Sequence, residues 1–153
     1  MAVETSTNAH GIETAQAELK DDFDLFDAWR DKIEFIIDLG KNLPDLPDAL
    51  KQESNLVRGC QSQVWLITKC DPTTQKMHIQ ADSDAFIVRG LIAILLKIYN
   101  NQSPHDIVAT PLTLFDEIGL KKHLTPGRSN GLYAMISQIK TRAQSHVQAS
   151  SLS

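Results

Sequence analysis

Between Ala85 and Tyr99 the chain places Phe86, Ile87, Val88, Leu91, Ile92, Ile94, Leu95 and Ile98, broken only by Arg89 and Lys97 among charged residues. The spacing predicts a helix that is apolar on most sides. Such a helix cannot lie on a surface, so the rest of the chain has to wrap it. The run is too short to be a membrane span, which needs about 18 consecutive apolar residues, and no longer run exists elsewhere. At 153 residues the chain has the length of one domain. The expectation is one domain built around a central helix, with no membrane partner.

The segments before this helix have a different texture. Residues 63–69 (Gln-Val-Trp-Leu-Ile-Thr-Lys) are rich in β-branched and aromatic types and read as a strand. Asp71-Pro72-Thr73-Thr74 is a turn signal, Lys76–Gln80 reads as the return strand, and Asn55–Val57 can add a short third strand. The expected sheet is small, antiparallel and about three-stranded. Asp82 or Ser83 is the expected N-cap of the apolar helix, which accounts for Asp82 and Asp84 without a catalytic pair.

Elsewhere the signals are helical. A helix is expected from Asp21 or Asp22 to Gly40, with Phe26, Trp29, Ile33, Ile36 and Ile37 at helical spacing. Pro47, Ser103-Pro104 and Thr110-Pro111 each suit the opening of a short helix. Ser129 is the expected cap of a last helix striped by Leu132, Met135, Ile136 and Ile139. Residues 1–20, polar and aperiodic, read as a disordered lead-in, and 145–153 as a frayed tail. That leaves a single α+β domain over 21–144, with helices on one face of the sheet.

Charge narrows the function. The formal net charge is −4, which argues against a nucleic-acid partner, since that requires a basic patch. Residues 1–50 hold 12 of the 19 acidic groups but 4 of the 15 basic ones, so the molecule is dipolar. The acidic third either solvates a helix face or steers a partner. The N-terminus lacks the pattern of a secretory signal or a transit peptide. A soluble protein of a reducing compartment, the cytoplasm, is expected.

Two cysteines, Cys60 and Cys70, are too few for a disulfide scaffold, and their spacing matches no zinc or redox motif. No metal site is expected. Cys60 lies in Arg58-Gly59-Cys60-Gln61-Ser62-Gln63, between extended segments. Gly59 permits φ > 0 or a close approach there, and Arg58 favours a thiolate. The residues alone leave two readings of Cys60, an inert half-hydrophobic side chain or a nucleophile. A Cys–His enzyme would need a base, and among His10, His78, His105, His123 and His146 the best placed is His123. Arg128 beside a helix N-terminus is electrostatically misplaced, which suggests work on a carboxylate or thiolate.

Three blocks carry a family resemblance. Gly59-Cys60-Gln61-Ser62-Gln63-Val64-Trp65 resembles the signature of the SufE family. Asp82-Ser83-Asp84-Ala85, with Ile87-Val88 and Gly90-Leu91-Ile92-Ala93, is similar to that family's central helix. His123-Leu124-Thr125-Pro126, Arg128-Ser129 and Gly131-Leu132 are similar to its C-terminal block. The resemblance covers roughly 22–143. It departs at Ala81, where relatives often have glycine, and over the first 20 residues.

The resemblance implies a fold like that of SufE and the IscU-type scaffolds, without the scaffolds' three-cysteine ligand set. It implies a sulfur acceptor that is not an enzyme on its own. Cys60 would take persulfide sulfur from a PLP-dependent cysteine desulfurase of the SufS or CsdA kind and stimulate that enzyme. The sulfur would pass to an iron–sulfur assembly scaffold such as a SufBCD-like complex. PLP would belong to the desulfurase, and this chain would need no cofactor. Arg58, Gly59, Gln61, Ser62, Gln63 and Arg128 are the expected thiolate-stabilising or partner-contacting residues. The competing reading is an independent Cys-dependent enzyme, a Cys–His hydrolase or thiol peroxidase.

Overall fold

The apolar run forms helix α3 (Phe86–Tyr99), which packs against three other helices and one strand. In this computed structural model the backbone is described over residues 8–152 and side chains over 11–149; residues 1–7 lie outside the described residues. Leu91, Ile94, Ile98 and Tyr99 have no solvent exposure. The helix is expected to be apolar on most sides; Phe86, at its first position, is the apolar residue left in solvent, 79% exposed.

Two strands, β1 (Val64–Cys70) and β2 (Met77–Ser83), pair antiparallel, with Val64 opposite Ser83 and Cys70 opposite Met77. The Asp71 carboxylate accepts the N–H groups of Thr73 and Thr74 and closes the turn between them. The expected third strand is absent. Residues 53–55 make a 3-10 turn, and only an isolated bridge joins Leu56 to Trp65. The sheet's other edge is occupied by residues 100–102: Met77 N–H donates to the Gln102 carbonyl, and Asn101 N–H to that of Met77. Both edges are thus paired locally, which protects a two-stranded ribbon from adding foreign strands. The α+β class stands, with a smaller sheet.

The N-terminal expectation needs correction. Helix α1 (Asn8–Asp24) runs through most of the supposed disordered lead-in, and its Ile12, Leu19 and Phe23 are fully buried. Gln16 is buried too, its amide donating to the Pro111 carbonyl at 3.1 Å and accepting from the N–H groups of Thr113 and Leu114. The helix expected as one piece from Asp21 to Gly40 is interrupted at residues 25–28, and α2 covers Trp29–Lys41. Helix α2 packs along α3, while α1 packs on α3, α4 (Pro104–Ala109) and α5 (Leu114–Ile118).

Helix α6 (Pro126–Leu152) begins before Ser129 and extends through the supposed frayed tail. Thr125, not Ser129, caps it, its Oγ1 accepting the Arg128 N–H. Ser129 is buried. Residues 81–83 extend β2, so neither Asp82 nor Ser83 is the N-cap of α3; Ala85 holds that position and makes no side-chain cap. No helix among the described residues is long and apolar enough to cross a membrane.

Candidate functional site

The segment 58–63 leaves the sheet and returns to it, held at its base on both sides. Val57 N–H donates to the Val64 carbonyl at 2.8 Å. Gln63 N–H donates to Asp84 Oδ1 at 3.1 Å, and Asp84 N–H donates back to the Gln63 carbonyl at 3.4 Å. Gly59 sits at φ +88°, the left-handed region where glycine is the natural occupant. The chain can therefore reverse at Gly59 and bring Cys60 to the loop's tip.

Cys60 is half-buried at a small apolar cavity with a free volume of about 10 Å³, so its walls nearly close on the side chain. Val64, Val88, Leu91, Leu132 and Met135 form its apolar walls, with Gln61, Ser62 and Arg128 towards the rim. The strand, α3 and α6 each contribute. Cys60 Sγ lies 3.7 Å from the Gly131 carbonyl oxygen, which accepts a weak hydrogen bond from the thiol. Burial pushes the Cys60 thiol pKa up. This direction is opposite to the expected effect of Arg58: burial here favours the protonated thiol, and Arg58 is exposed.

Gln61, Gln63 and Arg128 are exposed, and Ser62 is half-buried. Arg128 lines the same cavity as Cys60, in the first turn of α6. His123 does not line it. The imidazole stacks on Trp29, ring centroids 3.9 Å apart and planes 13° from parallel. Cys70 is a free thiol at the opposite end of β1, about 20 Å along the strand by its rise per residue. Among the described residues, no group of three or more His, Cys, Asp or Glu could hold a metal ion.

Sequence reasoning missed three features that shape the site. Asp84, read as a cap, anchors the loop base. Gly127 and Gly131 receive the loop: a Cβ on Gly131 would touch Cys60 Sγ at 3.6 Å, and one on Gly127 would strike Gln61 Oε1 at 2.0 Å. Their spacing of four was a readable signal, since residues i and i+4 share one helix face. Asp82 is a structural anchor. It is buried, pairs with Arg89, and accepts the Leu46 N–H at 3.0 Å.

A family profile named SufE and described as an Fe-S metabolism associated domain matches residues 17–143. An uncharacterized SufE-like protein of Rhizobium meliloti (strain 1021) is 40% identical over 139 residues, 89% of this chain and 99% of that protein. Another from Rhizobium etli is 42% identical over 130 residues, covering 83% of this chain and 88% of that protein. The fold is also similar to the solution structure of a hypothetical protein from Thermus thermophilus. There the TM-score is 0.71 at 16% identity, over 88% of this chain and 96% of the other.

Proposed function

The chain belongs to the SufE family, a domain associated with Fe–S metabolism, and from that membership we propose that it is a sulfur acceptor whose working atom is Cys60 Sγ. The donor is a PLP-dependent cysteine desulfurase carrying sulfur as a persulfide on its own cysteine. The Cys60 thiolate attacks the outer sulfur of that persulfide. A new S–S bond forms at Cys60 as the donor's S–S bond breaks, and the donor leaves as a thiolate that takes up the proton Cys60 lost. Nothing is oxidised or reduced overall. By relieving the donor of its sulfur, the chain stimulates desulfurase turnover. It then hands the sulfur to an iron–sulfur assembly scaffold, in a cytoplasm that keeps thiols reduced.

The observation that carries this reading is the placement of Cys60: a thiol at the tip of a loop clamped at its base, over an apolar cavity. A loop tip can enter a partner's active site, whereas a thiol within a strand cannot. An apolar cavity limits access of water-borne oxidants at rest. Phe86, exposed two residues after the loop anchor Asp84, offers the apolar contact that protein interfaces bury at their centres. The chain supplies no cofactor in this scheme and does not act as an enzyme alone. His123, the base that a Cys–His hydrolase would need, is engaged with Trp29.

Incubation with a cysteine desulfurase, PLP and L-cysteine tests the proposal by intact mass. The expected gain is one sulfur, about 32 Da, reversed by reductant through thiol exchange and absent in Cys60→Ser. A gain that persists in Cys60→Ser, or no gain with any of a panel of desulfurases, overturns it.

A further inference from the structure

The Cys60 loop lies along one face of α6. Three consecutive loop residues meet three small helix residues in antiparallel order: a Cβ on Gly59 would stand 3.9 Å from that of Ala134, Cys60 lies against Gly131, and Gln61 covers Gly127. Positions 127, 131 and 134 share a helix face. The contacts differ in tightness. A Cβ at Gly131 would make ordinary van der Waals contact with Cys60, at 3.6 Å from Sγ. One at Gly127 would stand 2.0 Å from Gln61 Oε1, 2.8 Å from Cδ and 3.3 Å from Cβ. The Gln61 side chain therefore fills the notch that any other residue at 127 would occupy.

Among the described residues, the backbone of the loop is hydrogen-bonded at its base, by the Val57–Val64 and Gln63–Asp84 pairs. Among the described residues, the one side-chain hydrogen bond of the tip is the weak one from Cys60 to Gly131. Packing against α6 is what holds residues 59–62 in place. We propose that Gln61 is the latch of this loop. Its side chain, seated in the Gly127 notch, keeps Cys60 inside the cavity, and its release presents the thiol to a protein partner. Gln61 is thus a positioning residue acting through Cys60. The inference rests on the sulfur-acceptor reading only for the identity of that partner. A latch made of one exposed side chain belongs to the low-stability end of a fold, where a docking protein displaces it easily.

Alkylation of Cys60 by iodoacetamide tests the latch without any sulfur donor. The full chain is used with Cys70→Ser, so that one thiol reports, and rates are followed from pH 7 to 10. Gly127→Ala removes the notch. It is expected to raise the rate at pH 7.5 several-fold and to move the apparent pKa down towards that of an ordinary thiol. The helix itself tolerates the change, because alanine is a better helix former than glycine. Gln61→Ala, at an exposed side chain, should give the same two shifts without touching α6. The double variant should react no faster than Gln61→Ala alone, since the filled notch then has nothing to expel. Unchanged rate and pKa in both single variants, or effects that multiply in the double variant, overturn the latch. The acceptor reading is judged separately by the mass gain, so either can fail while the other stands.

Discussion

Asp82, near the end of β2, and Arg89, one turn into α3, form an ion pair across the strand–helix junction. The Asp82 side chain is 2% exposed and that of Arg89 16%. The same guanidinium donates to the Leu43 carbonyl at 2.7 Å and reaches Asp45, while the Asp82 carboxylate also takes the Leu46 N–H. One pair thereby ties the loop after α2 to the start of the central helix. Removing one partner leaves the other charge buried alone, which costs about 3–5 kcal/mol. Arg89→Met should lower stability by that amount in denaturant unfolding. A loss under about 1 kcal/mol, the range of exposed pairs, would mean that the pair is solvent-screened after all.

The resting state of Cys60 has a pH signature. Its thiol pKa is raised by burial, so the folded chain holds this proton more tightly than the unfolded chain. The associated stability is full below the ordinary cysteine pKa and declines as pH rises through the higher folded value. Unfolding free energy measured from pH 7 to 10 should therefore fall more steeply for the wild type than for Cys60→Ala. Parallel curves would show that the Cys60 thiol holds its proton no more tightly in the folded chain than in the unfolded one.

How much of this was readable beforehand follows from where each signal resides. Helix α3 was legible because nearly every residue from Ile87 to Ile98 is apolar, and the pairing of β1 with β2 because Asp71-Pro72 interrupts two β-rich runs. The expectation that Cys60 is the working thiol comes from the three-block resemblance, since a lone cysteine between extended segments has two readings. Helix α1 was missed because its buried side chains are widely spaced among polar ones: Ile12, Gln16, Leu19 and Phe23 follow a helical period, but at one buried residue per turn over about three turns. Asp82 was misread because an aspartate before an apolar helix looks like a cap. Only the tertiary placement of Arg89 and Leu46 shows it serving as a buried anchor.

The correction at the N-terminus has a measurable consequence. Gln16 makes three hydrogen bonds to the residues leading into α5, two of them accepted from N–H groups at the start of that helix. Gln16→Ala should cost about 1–3 kcal/mol, the desolvation penalty of a group left unmade. Ile12→Ala, at a fully buried position, should cost about 2–5 kcal/mol. A chain starting at residue 21 should melt well below the full chain in a thermal scan. Equal melting temperatures would restore the view of these residues as a dispensable lead-in.

The crossing of α2 with α3 sets local propensity against packing. Alanine in place of a mid-helix glycine ordinarily stabilises by roughly 0.8–1 kcal/mol, and Gly90 lies mid-helix in α3. Yet a Cβ there would stand 2.0 Å from the Ile36 carbonyl oxygen and 2.6 Å from Ile36 Cγ2. Gly40, on the other helix, has Gly90 N at 2.6 Å from its own Cβ position, so neither helix can yield by moving a flexible side chain. Overpacking typically costs about 1–3 kcal/mol and more where backbone must move, which outweighs the propensity gain. Gly90→Ala should therefore destabilise by about 2 kcal/mol or more, a drop of several degrees in melting temperature for a chain of this size. Gly119→Ala gives the contrast: nothing lies within 4 Å of its Cβ position, but φ is +71°, so its cost is backbone strain of roughly 1 kcal/mol. If Gly90→Ala proved the milder of the two, the helices would have to be free to move apart, and the Cys60 cavity wall formed by Val88 and Leu91 on α3 would shift with them.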